Sequence, residues 1–250
     1  NAQIYLIEKD ASLLWKIKLN ENPISDVFQI DYYKNGKTQY VFNTKSYIYC
    51  IDENGKNIEN FPIRLAKEAS GPMNIIDYEK NKDYRFLIPC KNQILNFTKD
   101  GKPTKGWEIP RTKSIVSKKI THLKYNGTDI LCTSDKDGNI YLFNRKGGIN
   151  TTLKSAVFSS EKNDFYTVKS DKKNKLAILT TDISGSLITI SLNGEIVKKS
   201  VEKFSESHYF NYIDLNNDQK KEYVYIDDNK IRIYDQNLVP LCNYTFPSEI

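Results

Sequence analysis

Metal and redox chemistry draw on residues this chain scarcely has: two histidines, four cysteines and one methionine in 250 residues. His122 and His208 have no His or Cys neighbour at metal-ligand spacing, so a zinc centre has no ligand set. Each reads as a solvated or packed strand residue. Cys50, Cys90, Cys132 and Cys242 show neither CxxC spacing nor the density of a disulfide scaffold. Cys90 and Cys132 fall near the ends of equivalent strands, which leaves a cross-unit disulfide and a pair of small buried thiols as the two readings. The chain lacks a G-x-S-x-G elbow, a P-loop and a G-x-G-x-x-G turn. Ser184 and Ser186 lie in a glycine turn, and Asp227-Asp228 lies at a hairpin turn, where a solvated loop outweighs a general acid–base pair. The expectation is a protein without catalytic activity. No apolar run approaches a membrane span, and no basic–apolar–small signal opens the chain.

Charge excludes a further class. The net charge is +6, from 37 basic and 31 acidic residues. Nucleic-acid binding needs those lysines clustered on one face. Instead Lys34, Lys37, Lys56, Lys99, Lys102, Lys136, Lys146, Lys172, Lys173, Lys220 and Lys221 mostly occupy turns, where lysine keeps loops and edges in solution. No nucleic-acid partner is expected.

What the chain has in quantity is aromatic and β-branched residues, with Tyr 17 and Phe 11, a composition that suits pleated surfaces and suits helices poorly. It also has a repeat. The stretch Tyr47–Pro62, YIYCIDENGKNIENFP, reads as a β-hairpin turning at Asp52–Lys56, and relatives of it begin at Ile4, Ile94, Ile140, Leu187 and Ile231. From Ile4 to Ile48 is 44 residues, then 46, 46, 47 and 44. A fixed period of that size with no helical pattern inside it means a β-propeller. The fold expected is all-β, with five four-stranded blades and a two-stranded half-blade at the N-terminus. The units run 1–24 for the half-blade, then 25–70, 71–116, 117–163, 164–203 and 204–250, within a single domain over 1–250. Outer hairpins should turn at Asp52–Lys56, Lys99–Lys102, Arg145–Gly148 and Leu192–Glu195. Strands such as KLAILTT and EYVYI carry apolar residues on both faces, as expected where each blade is sandwiched between two others. The chain opens on the third strand of one blade and closes, at Phe246-Pro247, on the fourth strand of another. The expectation is therefore an incomplete ring, belonging to a longer polypeptide or covered by a partner.

The hairpin ends DASLLW, with Trp15, and DGKPTKGW, with Trp107, resemble the Asp-Gly-Lys…Trp signature of pyrroloquinoline-quinone-type (quinoprotein-like) propeller repeats. In that family the tryptophan docks one blade on the next, and Phe61 and Phe246 stand in its place elsewhere in this chain. The cofactor cage and axial calcium of the quinone dehydrogenases have no counterpart among its residues. The strings QIDYYKNGKTQYVFNT, ENFPIRL and DLNNDQKKEYVYID resemble uncharacterised propellers of bacterial cell-envelope proteins. That resemblance implies the periplasm or outer-membrane surface, lipid anchoring through residues not present here, and protein partners such as an outer-membrane assembly.

The fifth blade is similar to the FG-GAP type of propeller repeat, whose loop reads Asp-x-Asn-x-Asp-Gly-x-x-Asp. Here the string is Asp214-Leu-Asn216-Asn-Asp218-Gln-Lys-Lys-Glu222. Alternate oxygen ligands in a tight loop can converge on a hard cation, so the resemblance implies a calcium site made of Asp214, Asn216, Asp218 and Glu222. The competing reading is a metal-free Asx turn. Gln219 stands where the family has glycine, and Lys220-Lys221 set positive charge beside the loop. Asp31, Asp77 and Asp171 occupy related places without the full ligand set.

Two functions follow from these residues. The first is a binding or scaffold propeller in a bacterial cell-envelope assembly, using the blade connections Asn20–Ser25, Ala66–Pro72, Arg111–Lys118, Ser155–Asn163 and Glu202–His208 on one face of the ring. The alternative is a carbohydrate-binding, lectin-like propeller, suggested by Tyr32, Tyr33, Tyr78 and Tyr125 near the first-turn loops.

Overall fold

The structure, a computed structural model, describes residues 2–152, 157–160, 162–169 and 176–248. Among them every regular element is a strand. β1 (Gln3–Ile7) and β2 (Leu13–Lys18) form a two-stranded antiparallel pair. The first full sheet is β3 (Phe28–Ile30), β4 (Gln39–Asn43), β5 (Tyr47–Ile51) and β6 (Ile63–Arg64). The second is β7 (Asn74–Ile76), β8 (Arg85–Cys90) and β9 (Gln93–Thr98). The third is β10 (Thr121–Tyr125), β11 (Thr128–Ser134), β12 (Ile140–Phe143) and β13 (Ile149–Thr152). The fourth is β14 (Tyr166–Lys169), β15 (Leu176–Thr181), β16 (Leu187–Ser191) and β17 (Ile196–Lys199). The fifth is β18 (Tyr209–Ile213), β19 (Glu222–Asp227), β20 (Lys230–Tyr234) and β21 (Pro240–Thr245). Strands pair in chain order throughout, as a set of antiparallel meanders.

The second sheet is the one that falls short of four strands. Where its outer strand would run, the sequence has Pro103, which has no N–H to give a ladder, and Gly106. Only the bridges Phe97↔Pro103 and Gln93↔Arg111 remain.

The outer hairpins share one turn. At Asp52, Thr98, Asn144 and Ser191 the N–H bonds the carbonyl four residues on, and a glycine three residues on returns its own N–H. Those glycines, Gly55, Gly101, Gly147 and Gly194, all have positive φ, as a tight hairpin with a left-handed corner requires. In the half-blade Ala11, and in the fifth sheet Leu238, take the same corner at φ 67 and φ 64.

Apolar clusters join each sheet to the next. Ile4, Trp15 and Ile17 meet Phe42 and Tyr49 of the first sheet. Val41, Cys50 and Phe61 meet Phe86 and Ile88 of the second. Leu87 and Ile94 then meet Leu131 and Phe143 of the third, Cys132 and Leu142 meet Ile178 and Ile190 of the fourth, and Leu179 meets Phe210 and Tyr225 of the fifth. Each such side chain contributes roughly 1.5–3 kcal/mol by burial. β15 is buried on both faces, as its sequence implies. β19 differs: Tyr225 is fully buried, but Val224 and Ile226 are only half covered. Tyr209, Ile213 and Tyr244, which share that second face through the strand pairing, are exposed, because no described sheet packs there.

The first strands converge. Lys119, at the head of the third sheet, reaches Asp164 of the fourth at 3.1 Å and Asp26 of the first at 3.5 Å. Trp15 donates its indole N–H to the Glu53 carbonyl at 3.0 Å and sits edge-on to Tyr40. Trp107 donates to Ile94 and packs edge-on against Phe143 of the following sheet. All four cysteines are free thiols, three of them buried.

Candidate functional site

The blade connections and the turns between second and third strands share one face, and the backbone laces them together. Leu65 and Ala69 donate their N–H groups to Ser46 and Lys45 of the turn behind, and Ser70 donates to Pro89 of the sheet ahead. The next connection repeats this: Thr112 and Val116 bond Asn92 and Lys91 behind, and Ile115 accepts from Lys136 ahead. Val157 then bonds Gly138 behind, and Phe158 accepts from Ile183 ahead. Finally Phe204 bonds Ser184 behind, while Ser205 donates to the Asp227 carboxylate ahead at 2.8 Å. Each connection is thus fixed to both blades it joins, and these loops form a rigid rim.

Side chains reinforce the rim at a constant stride. Ser70 bonds the Val116 carbonyl, Asn74 the Ile120 carbonyl and Ser160 the Glu206 carbonyl, each pair 46 residues apart. Asp135 accepts from Ser114, Asn139 and the Tyr141 hydroxyl, tying a turn to the connection that enters its own blade. Two glycines permit the close approach. A Cβ on Gly138 would lie 3.0 Å from the Val157 backbone, and one on Gly185 would lie 2.4 Å from Phe204.

Over the third and fourth sheets, three large apolar side chains stand on this rim in solvent, Ile115 (41% exposed), Phe158 (56%) and Ile183 (44%), and Ile24 stands exposed in the first connection. The backbone bonds Lys136→Ile115, Val157→Gly138 and Ile183→Phe158 place the three along one track over the third and fourth sheets. Residues 155–163 are described only in part, but Phe158 is among those described.

The loop with the calcium-like spacing is folded by its own carboxylates. Asp214 accepts from the N–H groups of Asp218 (3.2 Å) and Gln219 (2.9 Å), Asn216 accepts from Asp218, and Asp218 accepts from Lys220. Glu222 is buried on β19, where it accepts from Leu215 and Gln236. Asp31 and Asp77 make the same pair of bonds, to the residues four and five further on. The backbone agrees: Lys34 and Gly36, Lys80 and Lys82, and Asn217 and Gln219 all take positive φ at matching places. Three loops therefore share one Asx turn, and among the described residues no group of three acidic, His or Cys side chains could hold a metal. In this arrangement the carboxylates of Asp214, Asp218 and Glu222 each accept from backbone N–H groups. Asp171 lies outside the described residues.

Gln219 fills a left-handed position at φ 69 that glycine takes without strain. Gln219→Gly is expected to raise stability by about 1 kcal/mol in urea denaturation, and added calcium should leave the melting temperature of the parent chain unmoved. A calcium-dependent rise would overturn this account of the loop.

The tyrosines divide. The Tyr32 hydroxyl bonds Asp100 at 2.8 Å, with Lys99 over its ring, and Tyr33 sits edge-on to Tyr32 while remaining exposed. Tyr78 lies under Arg145 and edge-on to His122, its hydroxyl buried without a partner and pushed up to about 12 by burial. Beside it Asp129 is bonded by His122, at 2.6 Å, and by Arg145. Burial raises the Asp129 carboxyl, but those bonds more than offset it and leave it below the usual range. Tyr125 lines a cleft that lies chiefly between the fourth and fifth sheets. His208 is fully buried within the last connection, bonded to Asn163, Thr181 and the Ser205 carbonyl.

Among the described residues no helix is long and apolar enough to cross a membrane. Comparison with known protein families finds no match, and comparison with curated proteins finds none. Among solved structures, BBS1N, crystallised in complex with ARL6DN and soaked with lead, shares the fold with a TM-score of 0.66 and 10% identity, over 99% of this chain and 77% of that one. BamB from Moraxella catarrhalis shares it with a TM-score of 0.59 and 12% identity, over 99% of this chain and 84% of that one. At these identities the likeness is one of fold, and the chain is a β-propeller.

Proposed function

We propose that the chain is a non-catalytic scaffold propeller that docks a protein partner on its laced rim, within a bacterial cell-envelope assembly. The observation that carries this is the track of Ile115, Phe158 and Ile183, large apolar side chains held in water by backbone that is hydrogen-bonded on both sides. Exposed apolar anchors on a rigid support lose little entropy when a partner covers them, which is how a few residues come to dominate an interface. A propeller of similar fold, BBS1N, was crystallised in complex with ARL6DN, which supports protein docking as a use of this architecture. The envelope setting rests on the resemblance of QIDYYKNGKTQYVFNT and its companions to envelope propellers, and on the similarity in fold to BamB from a bacterium.

Photo-crosslinkers placed at Phe158 and Ile183 in native envelopes should give a discrete protein adduct, and the same probes at Asn54 and Lys102, in outer hairpin turns, should not. Phe158→Ala should weaken capture at Ile183 by about tenfold or more, the range of an interface anchor. Equal labelling of rim and hairpin turns would remove the docking role from this face.

A further inference from the structure

A deep cleft lies at the other end of the blades, and the sequence there differs from that at the first three interfaces. At the first three interfaces an aromatic residue from the hairpin end packs between the sheets: Trp15, Phe61 and Trp107. After the hairpin of the fourth sheet, which turns at Ser191–Glu195, Ser200 and Val201 stand in that place. The face that the fourth sheet turns to the fifth is also short-chained, with Ala177 on β15 opposite Ser191 on β16, and Thr189 opposite Leu179. Between the two sheets lies a cleft of 960 Å³, within the range of ligand sites.

Its chemistry is mixed in a specific way. Lys124, Lys199, Lys220 and Lys221 line it against a single carboxylate, Glu195, among the described residues. Between the lysines it presents hydroxyls from Thr189, Tyr212 and Tyr223 and the amide of Gln219, while Ser191 is bonded to Asn193 and Glu195 and Gln236 to Lys221 and Glu222. Lys221 is held 5.3 Å above the Tyr212 ring, and Tyr212 stacks on Tyr223 at 5.1 Å, so the cationic wall rests on an ordered aromatic pair. Both main walls are sheet faces. Their backbone groups are spent in the β15–β16 and β19–β20 ladders, so a peptide entering the cleft finds no strand to extend. What the cleft offers is positive charge together with side-chain donors and acceptors at short spacing.

From this geometry we propose that the cleft between the fourth and fifth sheets binds an acidic oligosaccharide, a chain of hydroxyl-rich sugars bearing carboxylates. Lysines meet the carboxylates, and the hydroxyl and amide side chains meet the sugar hydroxyls. The site is separate from the docking rim and independent of it.

The test is calorimetric titration with trigalacturonate, beside maltotriose as a neutral sugar and hexaglutamate as an acidic peptide. Trigalacturonate should bind at least tenfold more tightly than either. Reversal of Lys220→Glu with Lys221→Glu, both exposed, should abolish that binding without moving the melting temperature. Val197→Trp, which narrows the cleft and adds no charge, should abolish it too, whereas Phe158→Ala on the rim should leave it intact. Absence of trigalacturonate binding, equal binding of hexaglutamate, or binding that survives Val197→Trp would each overturn the proposal.

Discussion

Replacing His208 by leucine should destabilise the fold by about 2–4 kcal/mol, read from urea denaturation, as expected when buried polar partners are orphaned together. The His208 ring has no solvent contact. Its Nδ1 lies 2.6 Å from the Ser205 carbonyl, which only accepts, so Nδ1 carries the proton and Nε2 is the acceptor. Nε2 then receives the Asn163 amide at 3.0 Å and the Thr181 hydroxyl at 2.9 Å. Asn163 in turn accepts the Phe210 N–H, so the ring sits at the centre of the contact between the fourth and fifth sheets. Leucine matches the volume of the ring but answers none of these groups. A loss below about 1 kcal/mol, the size of a single net hydrogen bond, would show that the network contributes no more than one such contact.

Gly185→Ala should cost about 2–4 kcal/mol, the sum of a left-handed alanine and an overpacked contact. The residue has φ +82, and a Cβ there would meet Phe204 at 2.4 Å, so the connection into the fifth blade must shift. Gly36→Ala is the control: its φ is +81, with nothing within 4 Å of the added carbon. It should cost only the backbone strain, about 1–2 kcal/mol. Thermal and urea denaturation of both variants separate packing from strain, and equal losses would mean that Phe204 yields without resistance. Because the Phe204 N–H bonds Ser184 beside Ile183, Gly185→Ala should also weaken crosslinking at Ile183.

The parts of this fold legible in the sequence are those written in side-chain pattern and turn chemistry. Asp52–Lys56, Lys99–Lys102, Arg145–Gly148 and Leu192–Glu195 all turn where glycine at the left-handed corner said they would. Ala11 and Leu238 hold the same corner without glycine, and there the period rather than the residue marked the hairpin. The lacing of the rim had no such signature, because Leu65, Val116 and Ile183 contribute only their backbone N–H groups, which every residue but proline has. The Asp214 string left two readings open through its spacing. Alternate oxygens suit a cation and an Asx turn equally, and what separates them is where Glu222 points, a property of strand register. His208 read as either solvated or packed, and its partners Asn163 and Thr181 lie in different segments, which only the tertiary fold joins. The cleft was the least legible feature, being made by small residues where the first three interfaces carry an aromatic.

The constant stride of the rim bonds bears on how such a gene changes length. Ser70 holds Val116, Asn74 holds Ile120 and Ser160 holds Glu206, always one repeat on. Unequal crossing-over between two copies removes or adds one whole repeat and brings each donor opposite the equivalent carbonyl of a different blade. The bond is to a backbone oxygen, so it forms again whatever side chain arrives. Blade number can therefore drift by whole repeats while the seams stay closed, whereas a deletion of any other length breaks the seam it falls within.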